Sequence, residues 1–323
     1  MIALLRLPLA LGILTLFSPG ADEPGIEHSS GLAYEMRTTR TMSMRSGQAH
    51  MYVDGQGLPT ETWKVGTWVP DRDDVETVVL RDVVQQVEEG RPVRVVREIV
   101  ELSMQVKVLD ETTERTGVLE GEQLTLERTA EGTVEARFTD DEEHSIDAVF
   151  LDGHRLEHDI HRFMPEEPVE AGDSWKPDDD AVRALLIAPG PQYYDKNAAA
   201  ELPGLLEKAA EITAEMTLRE RVMLDGVECW RLELEVAMQA DVDALPAEFS
   251  TGDEREDGSF TVESTHHGEL WIGVASRFPV KLEFESEWTF DLEIDIEADE
   301  LSFQFKLEFT ANNTSSREWE ILE

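Results

Sequence analysis

The sequence predicts a mainly β fold of the α+β kind: large, strongly twisted antiparallel sheets of long strands, with a short helical segment in the middle of the chain. Three observations carry this. From Val280 to Ile296 the even positions read V, L, F, S, W, F, L, I, I, and the odd positions read K, E, E, E, T, D, E, D. Strict alternation of this kind is a strand with one dry face and one wet face. A second alternating pair flanks MLDGVE, with Ile212, Ala214, Met216 and Leu218 going in and Trp230, Leu232, Leu234, Val236 and Met238 coming out. Between about 145 and 210 the period of two is lost.

Taken in order, the chain opens with MIALLRLPLALGILTLFSPG. One early charge, an apolar run from Leu7 to Phe17 and then small residues make residues 1–20 an expected secretory signal. Ser18 and Gly20 suit cleavage, and the run is too short to span a bilayer. No cysteine follows it, so no lipid-anchored mature N-terminus is expected, and no later segment is apolar enough to cross a membrane. Residues 21–144 form an N-terminal β-rich half, with strand-like runs at 31–53, 61–69, 75–88, 92–108, 113–120, 122–129 and 132–139. Gly121, Gly132 and Glu89-Gly90 punctuate them.

Residues 145–210 form the expected helical connector. Asp178-Asp179-Asp180 resembles an N-cap cluster for a helix over 179–188 that Pro189-Gly190-Pro191 stops, and a second helical piece runs over 197–209. WKVGTW (63–68) and AGDSW (171–175) give a faint hint of duplication. Residues 211–323 form the C-terminal, long-stranded half, expected to join the first half in one structural unit. Because both apolar sets around MLDGVE are even-numbered, a two-residue Asp-Gly turn would place them on opposite faces. A three-residue loop Leu224-Asp225-Gly226 with a bulge restores one face, and puts Leu218 opposite Leu232 and Met216 opposite Leu234. In the last hairpin, Ala298-Asp299-Glu300 turns the chain and Leu301, Phe303, Phe305, Leu307 and Phe309 resume the alternation. Strands of 17 residues reach about 56 Å and accumulate right-handed twist.

Composition narrows the function classes. A formal charge of −42 repels phosphate backbones and anionic lipid headgroups, so no nucleic-acid partner is expected. With 41% hydrophobic residues and clear periodicity, the acidity does not signal disorder. Only 7 of the 28 basic residues are lysines, a bias that suits a salty exterior and equally a GC-rich genome. The lone cysteine, Cys229, reads as a small buried hydrophobe, and an exported chain of this length holds together by its core alone.

HRLEHDIHRFMPEEPVEAGDSW, residues 154–175, holds the residues most suggestive of chemistry. His154, His158 and His161 sit at i, i+4 and i+7 of a helix, and zinc accepts two histidines at i, i+4. The outer pair, however, would stand about 10.5 Å apart along a helix axis, too far for all three to close on one ion; in a strand His161 points away from the others. Asp159, Glu157 and His144 lie within reach as further ligands, with no spacing that requires it. Ser174 in Gly172-Asp173-Ser174 has no apolar strand before it, and the only Asp-x-x-His, Asp141 to His144, lies upstream. No nucleophile elbow, phosphate loop or dinucleotide glycine pattern occurs. Glu283, Glu285, Glu287, Asp291, Glu293 and Asp295 project from one strand face and diverge about 6.7 Å apart, which fits solvent rather than calcium. The reading is therefore no catalytic residue, no cofactor and no metal, with the three histidines as the weak candidates. Asn312 and Asn313 carry overlapping glycosylation sequons of little weight in a bacterial chain.

Phe163-Met164-Pro165-Glu166-Glu167-Pro168-Val169-Glu170-Ala171-Gly172-Asp173-Ser174-Trp175 resembles the (L)PE-x-x-V-x-x-GDSW box of secreted bacterial β-rich proteins classed as domains of unknown function. Gly268-Glu269-Leu270-Trp271-Ile272, followed by Phe278-Pro279-Val280 and a long strand, resembles their C-terminal half. The resemblance covers about 145 to the end. Met164 replaces the usual Leu, and the histidine triplet lies outside the box. The resemblance implies no activity; it implies that Pro165, Gly172, Asp173 and Trp175 form a structural connector in which Pro165 and Pro168 keep the segment extended and Trp175 plugs a core. Long curved strands with a helical middle also look loosely like periplasmic lipid-carrier half-barrels. The expectation is an exported, monomeric, non-enzymatic protein that binds an apolar small molecule or lipid, or an envelope protein. Leu282, Phe284, Trp288, Phe290 and Leu292 would face the ligand in an open cavity. A hydrolase built on 154–175 and a structural envelope module are the rivals, and a tightly filled core would favour the module.

Overall fold

In the computed structural model the described residues are 28–58, 71–140 apart from 89, 146, 148–151, 154, 156, 163–165, 169–182 apart from 180, 211–242, and 256–322 apart from 299 and 300. The expected signal (1–20), the run at 61–69 and the 63–68 repeat lie outside them.

Among the described residues, thirteen strands form one antiparallel sheet. In the N-terminal half they are β1 (Ala33–Val53), β2 (Gln56–Gly57), β3 (Arg72–Glu88), β4 (Arg91–Val108), β5 (Glu111–Thr116), β6 (Gln123–Arg128) and β7 (Val134–Phe138). Then come β8 (Ser174–Trp175), β9 (Glu211–Leu224), β10 (Val227–Val242), β11 (Glu256–Gly273), β12 (Pro279–Ala298) and β13 (Leu301–Ile321). The order across the sheet is β7-β6-β4-β3-β1-β13-β12-β11-β10-β9-β8, with β2 on β1 and β5 on β4. Each half is a meander, and the first and last strands meet at the centre.

That meeting corrects the expectation of several sheets. β1 and β13 are paired from Tyr34↔Ile321 to Val53↔Phe303, with one bulge between Ser46 and Ala49. β3 covers the other edge of β1 from Ala33↔Val83 to Met44↔Arg72. A strand hydrogen-bonded on both sides cannot end a sheet, so the halves are continuous. At the bulge, Gly47 lies so close to β13 that a Cβ there would stand 2.7 Å from the Glu308 carbonyl oxygen.

The β9–β10 hairpin has the expected partners, Leu218↔Leu232 and Met216↔Leu234, but reaches them differently. Leu224 pairs directly with Val227, leaving a two-residue Asp225-Gly226 turn with positive φ at both positions (48° and 88°). The extra residue is Arg219, skipped between the pairs Arg231↔Glu220 and Leu232↔Leu218. Between turn and bulge, β9 therefore shows its opposite face, and Arg221 lies 4.0 Å over the Trp230 ring. In the last hairpin Ala298 pairs with Leu301, so the even series of β12 and the odd series of β13 share a face. Strands of 20 and 21 residues extend about 65–70 Å.

The shared face is the inner one, and its core falls into two clusters. One gathers Leu124 and Leu126 from β6, Met216 and Leu218 from β9, and Leu282 and Phe284 from β12, together with Phe150, Leu156, Phe163, Ala181 and Val182 of the middle segment. Residues near both edges touch one core, so the sheet curls around it. The other lies toward the β12–β13 turn and holds Phe260, Phe290, Phe309, Val262 and Leu292.

The helical middle is not supported among the described residues. Ala148–Leu151 is a four-residue 3-10 helix. Asp178 opens one helical turn, its Oδ1 accepting from Ala181 N at 3.1 Å while Val182 N donates to its carbonyl at 3.0 Å. The rest of 179–188 and all of 197–209 lie outside the described residues. Around the box the backbone satisfies itself on the sheet instead: Gly172 N donates to Leu218 O and Leu218 N to Asp173 O. Ser174 and Trp175, the end of the box, thus form β8, the last strand in the sheet order.

Candidate functional site: a polar belt across the inner face

The apolar series of the inner face is interrupted at one level. Ser264 and His266 on β11, Ser286 on β12, Asn313, Ser315 and Arg317 on β13, Thr38 and Arg40 on β1, and Asp74 and Glu76 on β3 all point inward. The pairs His266↔Ser286, Ser286↔Asn313, Arg40↔Ser315, Thr38↔Arg317 and Arg40↔Glu76 place them side by side. Leu282 and Phe284 lie on one side of this belt, Trp288 and Phe290 on the other.

At its centre is Arg317, 4% exposed. Its Nε donates to Thr38 Oγ1 at 3.2 Å, its guanidinium lies 5.9 Å from the Trp319 ring, and one terminal nitrogen has no partner in the protein. Burial, and then the like charge of Arg40, push its pKa down to about 9, so it is charged at neutral pH. Arg40 reaches Glu76 only at 3.7 Å, and its buried Nε has no protein partner. Arg72 donates to Asp74 Oδ1 at 2.7 Å. Three guanidiniums thus face two carboxylates, a local excess of positive charge in a strongly acidic chain.

Beside Arg317 lies a slot of about 20 Å³, bordered by Arg40, His266, Ser286, Trp288, Asn313 and Arg317. Its buried lining is Arg317, His266, Ser286, Leu282 and Phe284; Arg40, Trp288, Asn313 and Ser315, also lining it, are half-buried. A volume of this size admits one or two atoms.

His266 bonds two serines: Ser264 Oγ lies 2.8 Å from Nε2 and Ser286 Oγ 2.7 Å from Nδ1. A hydroxyl on an imidazole is the geometry of an activated nucleophile. Here desolvation holds His266 down at about 4, and its second partner is a hydroxyl rather than a carboxylate. A base this weak, with two guanidiniums bordering the same slot, is poorly suited to take a proton at neutral pH. The trio is a neutral hydrogen-bond relay that fixes Ser286 at the slot.

The residues singled out from the sequence lie elsewhere or on the flanks. His154 is buried beside Arg97, and burial, with that guanidinium adding to it, depresses its pKa to about 3. An adjacent cation also works against a metal ion there. His158, His161, His144, Glu157 and Asp159 lie outside the described residues, among which no group of three or more His, Cys, Asp or Glu converges on a metal position. In the box, Asp173 Oδ2 accepts from Glu170 N at 2.8 Å, Gly172 takes φ +99°, and Ser174 Oγ lies 2.8 Å from Thr217 Oγ1. Trp175 packs against the first core cluster and donates from Nε1 to Phe163 O at 2.6 Å; Pro165 is described, Pro168 is not. Leu282, Phe284, Phe290 and Leu292 are buried and Trp288 half-buried, all on the inner face. Phe290 stacks on Phe260 (5.8 Å) and Phe309 (4.6 Å), so this part of the expected cavity is filled by packing. Buried Cys229 has its thiol pushed up by burial and by Glu228, the inert form.

The belt itself escaped the sequence reading. Its trace was Ser286, the one polar letter in the even series of β12, matched by Asn313, Ser315 and Arg317 at odd positions of β13; only the register shows that they are neighbours.

No protein-family model matches the chain, and no curated protein matches it in sequence. Among solved structures, a DUF1329 family protein from Desulfovibrio piger aligns at 8% identity over 88% of this chain and 83% of its own, with a TM-score of 0.16. The COG4313 outer membrane channel from Pseudomonas putida aligns at 7% identity over 94% and 99%, with a TM-score of 0.20. Scores this low establish no common fold. Among the described residues no helix is long and apolar enough to cross a membrane.

Proposed function

We propose that the chain is an exported, monomeric, non-catalytic protein that holds an apolar ligand on the inner face of its sheet. The observation that carries this is a set of half-covered apolar side chains between the belt and the β12–β13 turn: Met42, Met44 and Trp288 near the belt, then Leu307 and Ile294 beyond the buried Phe290–Phe309 pair. Inner-face residues on the far side of the belt, such as Leu218, Leu234 and Leu282, are buried. Methionines and a tryptophan are adaptable contacts for a flexible apolar molecule. Export rests on the N-terminal apolar run. The weak base at His266 and the engagement of Ser174 with Thr217 support a non-catalytic role.

A second reading, a structural envelope module, is favoured by the packed Phe260–Phe290–Phe309 stack. Native mass spectrometry of the full chain, purified from its own host, separates the readings. A single chain with a co-purifying lipid-sized mass is the expected result. A bare chain leaves the module ahead, and a bound zinc ion brings back the hydrolase built on the 154–175 region.

A further inference from the structure

The fold buries two guanidiniums in opposite ways. Arg97 is fully buried, and its charge is met by Asp82 in a two-pronged contact, Nε to Oδ1 at 2.8 Å and a terminal nitrogen to Oδ2 at 2.7 Å. Tyr34 OH completes it by donating to Asp82 Oδ2 at 3.0 Å. Arg317 is nearly as buried, yet among the described residues its side-chain hydrogen bond runs to a neutral hydroxyl and no carboxylate forms an ion pair with it. Removing a charge from water without a counter-charge is expensive. A buried cation that lines a slot and has no counter-charge therefore marks a position for an anion supplied from outside.

We propose that this slot is the head-group site of the ligand, and that the ligand is an amphiphile with a single carboxylate. The inference deepens the apolar-ligand reading and rests on it. One carboxylate oxygen is placed in the slot lined by Arg317, Arg40 and Ser286, whose guanidiniums and hydroxyl would supply its donors. The other oxygen sits at the rim between Arg40 and Asn313. The Asn313 carbonyl oxygen has no protein partner, and a half-turn of the amide presents its N–H₂ instead. A phosphate would have to place its further oxygens at the half-buried rim, where Arg40 and Asn313 already take the second carboxylate oxygen. The chain of the amphiphile leaves past Trp288 along Met42, Met44, Leu307 and Ile294. From Ala311 to Phe303 this strip runs about 26 Å along β13. The repulsive net charge of the protein is no obstacle, because the local charge at the slot is positive.

Isothermal titration of the full chain with sodium dodecanoate, dodecanol, dodecyl phosphate and sodium acetate tests this. Dodecanoate is expected to bind at least about tenfold more tightly than dodecanol, the worth of one charge-assisted hydrogen bond, and acetate not measurably. In Arg317→Met the preference for acid over alcohol should disappear while the melting temperature stays level or rises, since the variant removes an uncompensated charge. Equal binding of acid and alcohol by the unaltered chain overturns the head-group site and leaves the apolar-ligand reading intact; no binding of either overturns that reading as well. Tighter binding of dodecyl phosphate overturns the carboxylate assignment, and acetate binding as tightly as dodecanoate reduces the slot to a simple anion site. The comparison on the unaltered chain decides the matter even if the variant does not fold.

Discussion

Arg317 and Thr38 are 279 residues apart in sequence and hydrogen-bonded in the fold, Nε to Oγ1 at 3.2 Å, directly across the seam between β13 and β1. The hydroxyl gives a buried guanidinium its one side-chain hydrogen bond. Thr38→Val keeps the shape and removes the acceptor. The expected cost is about 1–3 kcal/mol, the penalty for a buried donor left unmade, read as a lower urea midpoint with unchanged slope.

The Asp82–Arg97 pair makes a sharper case. Asp82→Ala strands a fully buried cation and should cost about 3–5 kcal/mol. Tyr34→Phe removes one hydrogen bond and should cost about 1 kcal/mol. Asp82→Leu combined with Arg97→Leu should be milder than Asp82→Ala, because no unpaired charge remains. A double-mutant cycle by urea denaturation checks the ordering, and a double variant worse than the single one contradicts it.

Acid should weaken the fold through its buried histidines. His266 titrates near 4 and His154 near 3 in the folded chain, against an ordinary 6.5 in the unfolded one. Between pH 6.5 and 4 the unfolded state therefore binds more protons, and stability rises with pH across that window. Above 6.5 the effect of these groups is constant. Comparing the native chain with His266→Gln isolates one histidine from the many carboxylates. The difference in urea midpoint between pH 7 and pH 4.5 should be smaller in the variant.

In the GDSW box, Trp175→Ala should lower stability by several times more than Ser174→Ala. The indole packs against the first core cluster and its N–H caps the Phe163 carbonyl. Large aromatic truncations in cores cost about 3–5 kcal/mol, and a half-buried ring falls at the lower end. Ser174 loses one hydroxyl contact to Thr217, worth about 1 kcal/mol. Melting temperatures of the two variants rank them, and a Trp175 variant as stable as Ser174→Ala refutes a structural box.

How legible was this molecule in its sequence? The long C-terminal strands were plain, because burial of one face imposes a period of two that needs no knowledge of partners. The partners Leu218–Leu232 and Met216–Leu234 were also recoverable, since only an odd insertion keeps both apolar sets on one side. The position of that insertion was not: a bulge at Arg219 and a three-residue loop satisfy the same parity, and Asp225-Gly226 prefers the tight turn. The seam between β1 and β13 was hidden because nothing local records which strands are neighbours. The belt was hidden for the same reason, since single polar letters on four strands gain meaning only from register. The histidines of 154–175 stood out by composition alone, and the described one among them, His154, is shut inside the core next to a cation.

The central seam also dictates when the sheet can be finished. β1 precedes its partner β13 by about 250 residues, so one edge of β1, with its apolar inner side chains, stays open until β13 has been made. Pairings this distant in sequence are slow to close, and an unprotected edge recruits other chains in the interval. Because the seam lies in mid-sheet, removing β1 or β13 would expose the middle of the sheet rather than trim its margin. The two strands can meet only once everything between them has been made.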